Sequence, residues 1–427
     1  MSNRFLAISG LVLILPVLAF ALLRMRAEPP QISQRTASPD PDALPEAIAD
    51  LQRRIDSGKS RLDYDESSGY LRSVLENLDI PLSSQSLVFS KSSAQLFLIS
   101  PETPRAIYFN DDVYVGYVQG APHLEIASID PIIGPAFYTL DQVKMDKPKF
   151  TVQPTDCLAC HDTFEGEKPV PRLLMLSVLS DPKGVALNRL SIVTNDRSPF
   201  LERWGGWYVT GNPGNQRHMG NHLVRVPADS LKTIREYSKR ADLSEGSNVT
   251  DLSRRFDTKA YPTPHSDIVA LMVLGHQTHI HNLITATSTA VRSNPSETEV
   301  KEEGDRLVKA MLFVEAEPLT QPVVGTTSFA ADFSAHGPRD SQGRSLHQLD
   351  LKTRLLRYPM SYLVYSKSFD AMPDAAKTYV YHRFWEVLTG KETSTAFAHL
   401  SADDRKAILE ILRETKPEFA AFEKQLR

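Results

Sequence analysis

The sequence predicts an α+β protein, with an antiparallel β-rich N-terminal half and a mainly α-helical C-terminal half. Between Ser86 and Gln142 apolar residues alternate with a period of two, and turn-forming residues separate the runs. In the C-terminal half, apolar residues instead recur at spacings of three and four over long segments. The chain of 427 residues, 41% hydrophobic and 23% charged, has the composition of a globular protein of two or three domains.

The N-terminal segment from Phe5 to Leu23 contains nineteen uncharged, mostly apolar residues between Arg4 and Arg24. As a helix it would span about 28 Å, enough to cross the hydrocarbon core of a bilayer. Ala19-Phe20-Ala21 also matches the small-residue pattern of a signal-peptide cleavage site. Residues 1–26 are therefore predicted to be either an uncleaved signal anchor or a removed signal peptide, and the rest of the chain to be exported.

Residues 27–45 include five prolines among serine, threonine and aspartate, which predicts an extended tether. The next region, 46–225, is predicted to be β-rich and to open with two amphipathic helices, Glu46–Ser57 and Glu66–Leu78. Its predicted strands, chosen by alternation and by flanking turns, are Gln95–Ile99, Ala106–Phe109, Val113–Val118, Ala136–Leu140, Leu173–Leu179 and Leu190–Val193.

The last region, 226–427, is predicted to be mainly helical. The longest helix runs from Ile268 to Ala290, with Ser266 or Asp267 as its N-cap residue after Pro264. Residues 331–358 are predicted to be a loop. The other predicted helices are Ser230–Ala241, a charged and exposed one at Pro295–Val314, Pro373–Leu388, and Ala402–Thr415 with Ser401 as its cap.

Both cysteines of the chain lie in one stretch, Cys157-Leu158-Ala159-Cys160-His161. This C-x-x-C-H spacing is typical of covalent haem attachment. A thioredoxin-like dithiol would need a βαβ context, and the residues before Cys157 include Pro148 and two lysines instead. A zinc site would need further ligands, and a disulfide across three residues would close too small a loop to stabilise much.

In these five residues the chain resembles the c-type cytochromes. The resemblance implies that Cys157 and Cys160 form thioethers with one haem c and that His161 is an axial iron ligand. It also implies that the haem is attached outside the cytoplasm, which agrees with the predicted export segment. No second C-x-x-C-H occurs, so one haem per chain is expected.

The glycine-rich stretch from Arg203 to His222 combines two tryptophans with arginine, histidine and methionine. One interpretation is a loop that covers the haem edge, with Arg203 or Arg217 binding a propionate and His218 or Met219 near the iron. The other interpretation is a structural turn with two packed tryptophans. Of these residues, Arg217 is the predicted cofactor-binding one.

The centre of the long predicted helix carries His276, His279 and His281. At about 100° per residue, His276 and His279 share one face while His281 points elsewhere. We predict that His276 or His279 is the sixth iron ligand or an acid/base group beside the iron. A small metal site and a pair of buried, hydrogen-bonded histidines are the alternatives, and Met360 is a further candidate ligand.

Beyond residue 26 the chain carries 45 basic and 52 acidic residues, a formal charge of −7 that argues against nucleic-acid binding. The sequence therefore predicts an exported, membrane-tethered mono-haem c-type cytochrome on the periplasmic side, exchanging electrons with redox partner proteins. Its unusual length allows an alternative, a peroxidase-like haem oxidoreductase with an open sixth position and catalytic His276, His279 and Arg217. A haem-bearing sensor or a docking subunit is a third possibility.

Overall fold

The computed structural model describes residues 47–153, 157–161, 170–293 and 295–426. The predicted anchor and tether lie outside these residues. The predicted fold class is confirmed, because an antiparallel sheet occupies the N-terminal half and most of the C-terminal half is helical. The described residues belong to one compact unit, 44–427.

The N-terminal half is built around a six-stranded antiparallel sheet in which each strand pairs with the next along the chain. Tight turns make this order possible; the side chain of Asn110, for example, accepts hydrogen bonds from the backbone of Asp112 and Val113. The strands are β1 (Ser86–Val88), β2 (Arg105–Phe109), β3 (Val113–Tyr117), β4 (His123–Asp130), β5 (Gly134–Asp141) and β6 (Phe150–Val152). A separate hairpin consists of β7 (Leu176–Ser180) and β8 (Ala186–Val193).

The sheet is covered on both faces, because its side chains alternate between two cores. One face packs against the N-terminal helices through residues that include Tyr108, Val115, Leu124 and Ile126. The other face packs against the long C-terminal helix through residues that include Phe109, Tyr114, Ile129 and Phe137. We call the latter the inner face. Its register aligns Ala127 with Phe137.

The helices supply the rest of the two cores. In chain order they are α1 (Ala47–Asp56), α2 (Leu71–Asn77), α3 (Leu158–His161), α4 (Ile234–Ser238), α5 (Ile268–Arg292), α6 (Glu297–Met311), α7 (Phe329–Ala335), α8 (Lys367–Asp370), α9 (Asp374–Leu388), α10 (Ala402–Thr415) and α11 (Pro417–Gln425). Among residues 47–426 that are described, no helix is both long enough and apolar enough to cross a membrane.

Helix α5 is the central element of the larger core, and its predicted N-cap is confirmed. The Asp267 carboxylate accepts the backbone N–H of Val269 at 2.7 Å, as an N-cap side chain should. Its second oxygen accepts the backbone N–H groups of Thr326 and Thr327, each at 2.8 Å. The start of α5 is therefore tied to a distant part of the chain.

Some predicted elements are wrong or shorter than predicted. The strand at Gln95–Ile99 is a 3₁₀ turn in which Phe97 is 87% exposed, because the Ser93 hydroxyl accepts the Gln95 N–H and starts a turn. The helix predicted from Glu66 begins only at Leu71, since the Asp65 side chain accepts the N–H groups of the next turn. The helix predicted at Ser230–Ala241 is also shorter than predicted, because α4 covers only Ile234–Ser238.

Two expectations for the C-terminal half also need correction. The helix predicted at Pro295–Val314 forms with a capping box at its N-terminus, but it is not simply exposed, because Leu307, Val308 and Met311 lie in the core. The segment predicted as a loop contains most of α7, whose Phe333 packs into the same core. The helices ending near Leu388 and Thr415 are confirmed.

Candidate functional site

The C-x-x-C-H stretch forms a short helical turn at the edge of the sheet. It follows β6, and the N–H groups of Cys160 and His161 both donate to the Cys157 carbonyl oxygen, at 3.1 and 2.9 Å. Residues three apart on a helical turn lie on the same side, so both thiols approach one surface. Cys157 is half-buried against the main core and Cys160 is exposed. The two sulfur atoms are not joined in a disulfide.

The His161 ring is held in one orientation by its neighbours. Its Nδ1 atom lies 2.9 Å from the Arg172 carbonyl oxygen, and the Arg172 N–H donates to the His161 carbonyl at 2.7 Å. The ring also packs on Phe137 of the inner face, with 4.7 Å between ring centroids. A carbonyl oxygen can only accept, so Nδ1 carries the proton and Nε2 presents its lone pair.

This arrangement suits a metal ligand. Metal-binding histidines usually donate their other ring N–H to a carbonyl or carboxylate, which fixes the ring and its tautomer. His161 Nε2 makes no hydrogen bond to any residue that the structure describes. Burial lowers the pKa of His161, although the hydrogen bond to Arg172 opposes that effect. The ring is therefore neutral at physiological pH, which is the form that binds iron.

Two arginines whose charges influence His161 have buried N–H donors without partners. They are Arg105 on β2 and Arg172, and the Nε atom of each is buried and makes no hydrogen bond to a residue that the structure describes. Their charges add to the effect of burial in lowering the pKa of His161. Glu125, paired with Arg105 at 2.7 Å, opposes them. A buried donor without an acceptor is unfavourable, so these atoms suit an anionic group.

Helix α5 reaches the same region through Asn282. The Asn282 side chain accepts the Leu173 N–H at 2.7 Å and donates to the Leu173 carbonyl at 2.8 Å. Leu173 directly follows Arg172, which holds His161. His279 lies one helical turn before Asn282 on the same side of α5, and its Nε2 atom is buried with no hydrogen-bond partner among the residues that the structure describes. His279 thus offers an unpaired ring nitrogen on the α5 face that carries Asn282.

His276 differs from His279, because both of its ring nitrogens have protein partners. Nε2 lies 2.9 Å from the Ser361 hydroxyl and Nδ1 lies 3.4 Å from the Asp196 carboxylate. The ring stacks on Phe313 at 4.5 Å. The order Asp–His–Ser is the one found in hydrolytic triads, but Ser361 and His276 have no exposed surface through which a substrate could reach the hydroxyl. We interpret the array as a structural network.

The other residues considered from the sequence, His281, Met360, Met219 and Arg217, have surroundings away from the C-x-x-C-H turn. The His281 Nε2 atom lies 2.8 Å from the Asp111 carbonyl oxygen, on the other side of α5. Met360 is fully buried in the main core. Met219 lies in a small core beneath the β7–β8 hairpin. Arg217 interacts electrostatically with His218 and Asp242 and has no described contact with the C-x-x-C-H turn.

The stretch from Arg203 to His222 is irregular, as its glycines predict, and its two tryptophans are buried. Trp204 packs edge-on against His218, with 5.3 Å between centroids, and the Trp207 indole N–H donates to the Leu176 carbonyl at 2.7 Å. These contacts fit the structural interpretation of the stretch. Its role at the haem edge stays a prediction.

Buried His218 should make the fold sensitive to acid. Burial, aided by the charge of Arg217, lowers the pKa of His218 from 6.5 to about 3. The folded state therefore favours neutral His218, and its contribution to stability is complete above pH 6.5 and declines as the pH falls toward 3. We expect His218 to cost about 2 kcal/mol of unfolding free energy between pH 7 and 5.

The measurement is urea unfolding of the wild type and of His218→Gln at both pH values. The variant should lose less stability than the wild type on going to pH 5. Equal losses in the two proteins would contradict the role of His218.

Comparison with known proteins gives no relative. No protein-family model, no curated protein sequence and no solved structure matches this chain. Among the described residues, no three His, Cys, Asp or Glu side chains cluster so as to hold a metal ion.

The structure adds site residues that the sequence did not single out. The charges of Arg105 and Arg172 both influence His161 because β2 lies in the same sheet as Phe137, which packs on the His161 ring, and because residue 173 is anchored to α5. Nothing in their local sequence marks them. Asp196 and Ser361 also join His276 through long-range contacts.

Proposed function

We propose that this protein is an exported mono-haem c-type cytochrome that transfers electrons. The observation that carries the proposal is the C-x-x-C-H turn, in which the Arg172 carbonyl fixes the His161 ring and leaves Nε2 for a metal. Covalent attachment would retain the cofactor in a compartment from which a lost haem could not be recovered. Redox partner proteins would be its donor and acceptor, and residues 5–23 would tether it to the membrane.

Each residue of the site has a proposed role. Cys157 and Cys160 would form the two thioethers, and His161 would be the proximal ligand through Nε2. Arg105 and Arg172 would donate their unpaired N–H groups to the haem propionates, which are carboxylates. His279 would be the sixth ligand, since its Nε2 atom is buried and unpaired. When bound, the haem would supply a one-electron couple.

The protein itself would position these residues for haem binding. The paired hydrogen bonds between His161 and Arg172 limit rotation of the ring, and Phe137 packs on its face. Burial keeps the imidazole neutral, so no proton needs to leave when iron binds. The two hydrogen bonds between Asn282 and Leu173 join α5 to the residue after Arg172. They would hold the segment that carries His279 at a fixed distance from the segment that orients His161.

The spectrum of the haem-loaded protein tests the ligation. We expect low-spin, six-coordinate ferric iron in ultraviolet-visible and EPR spectra, unaffected by cyanide or peroxide. His279→Ala removes the proposed sixth ligand and should give a high-spin spectrum and a site that binds cyanide. The matched control is His382→Ala, which changes a half-exposed histidine of α9 and should keep the wild-type spectrum.

Two outcomes would contradict this assignment. A wild type that is high-spin and reacts with peroxide would support the enzyme alternative, with His279 as a distal acid/base group instead of a ligand. A His279→Ala variant that remains low-spin would mean that another residue is the sixth ligand.

A further inference from the structure

A cavity of about 400 Å³ lies beside α5, away from the C-x-x-C-H turn in sequence, and has no role in the proposed electron transfer. Its wall is mainly apolar and includes Met272, Phe313, Leu355 and Leu356. Cavities of a few hundred cubic ångströms with apolar walls and few polar groups are typical of small-molecule sites. This one is large enough for a compound with one or two rings.

A buried acceptor without a partner lies in the cavity wall. Asp196 is 9% exposed, and its Oδ1 atom is buried and makes no hydrogen bond to a described residue. Within the same part of the chain, its other oxygen has only the 3.4 Å contact with His276. Burial would raise the pKa of Asp196, but the hydrogen bond from His276 and nearby positive charges outweigh it and lower the pKa. An ionised carboxylate with an unused oxygen needs a donor.

A buried donor lines the same cavity. Arg203 is 4% exposed, and its Nε and Nη2 atoms donate to the backbone carbonyls of Ser198 and Asp196, at 2.8 and 3.0 Å. Its Nη1 atom makes no hydrogen bond to a described residue. Burial lowers the pKa of Arg203 to about 10, so the group is still charged at neutral pH. Asp196 and Arg203 together therefore offer the cavity one unused acceptor and one unused donor.

The charges around the cavity favour a neutral ligand. Glu315 and Glu317 also line it, but both are exposed, so water screens their charges. The second lining arginine, Arg354, is neutralised by a two-pronged contact with Asp404, at 2.6 and 3.1 Å. The buried charges at the cavity are then Asp196 and Arg203, one of each sign. A charged ligand of either sign would be opposed by one of this pair, which leaves a neutral ligand as the best match.

We infer that this cavity binds a small, neutral ring compound that carries a hydroxyl group. A hydroxyl is both donor and acceptor, so it can give its proton to the Asp196 Oδ1 atom while it accepts from Arg203. The ring then lies against the apolar wall formed by residues such as Met272 and Leu355. The inference goes beyond the proposed electron transfer and does not depend on haem at Cys157–His161.

Phenol is the probe that tests the site, with benzoate and benzylamine as its charged counterparts of similar size. Calorimetry on the full-length protein as purified, with the haem content measured separately, should give a phenol Kd below about 1 mM. Benzoate and benzylamine should bind at least about tenfold more weakly. Failure of all three to bind, or a charged probe that binds as tightly as phenol, would overturn the inference.

Two variants test whether phenol binds in this cavity. Ala396→Trp fills the cavity from a half-buried lining position and should weaken phenol binding at least about tenfold. Asp196→Asn keeps the shape but removes the charge of the acceptor, and should weaken binding about five- to tenfold. The matched control, Ala398→Trp, adds the same side chain at an exposed position two residues away and should leave the Kd unchanged. Phenol binding that survives both lining substitutions would overturn the assignment to this cavity.

Discussion

The variant in which both cysteines are replaced, Cys157→Ala with Cys160→Ala, should release all of its haem into acidified acetone, whereas the wild type should retain it. The chain has only these two cysteines, so every thioether must form at one of them. Both proteins are to be expressed with cytochrome c maturation factors. The single variant Cys160→Ala can form one thioether at most and should retain haem poorly.

The control for this experiment is Asp146→Ala, which changes an exposed residue shortly before the C-x-x-C-H turn. This variant should retain its haem as the wild type does. Since the cysteine variants keep His161 and its contact with Arg172, the total haem content of each variant is compared with that of the wild type before extraction. Haem that resists extraction from the double variant would contradict attachment at these cysteines.

Replacing His276 with alanine should destabilise the fold by about 3 kcal/mol without changing the haem spectrum. The substitution removes the hydrogen-bond partner of the buried Asp196 carboxylate and leaves the Ser361 hydroxyl without its 2.9 Å contact. It also leaves a cavity where the ring stacks on Phe313. Urea unfolding measures the loss, and the half-exposed His382→Ala should cost less than about 0.5 kcal/mol.

A second substitution separates the electrostatic part of this effect. Asp196→Asn in the His276→Ala background removes the unpaired buried charge and should restore part of the lost stability. If His276→Ala is as stable as the wild type, the buried network contributes little. If it instead converts the iron to high spin, His276 rather than His279 is the sixth ligand.

The fold class and the main elements could be predicted because they follow from local patterns. The alternation between Ala106 and Leu140 specifies strands that fold back on each other through tight turns. The long apolar run capped by Asp267 specifies α5. The wrong strand at Gln95–Ile99 shows the limit of the pattern, since a serine hydroxyl that starts a turn outweighed an apolar run.

The candidate site was predictable only in part. The spacing of Cys157, Cys160 and His161 is local and visible in the sequence. The difference between His276 and His279 is not, because both lie on one face of α5 and only distant partners, Asp196 and Ser361, distinguish them. The influence of Arg105 and Arg172 on His161 likewise depends on sheet register and on long-range anchoring.

The central claim is that one haem is bound covalently at the C-x-x-C-H turn, and peptide mass spectrometry tests it most directly. Trypsin should release residues 150–172 as one peptide, because it cleaves after Lys149 and after Arg172, and the internal Lys168 precedes a proline. Protein matured with haem should yield this peptide with its mass increased by one haem and both cysteines blocked. A peptide of unmodified mass with two reactive thiols would contradict the account.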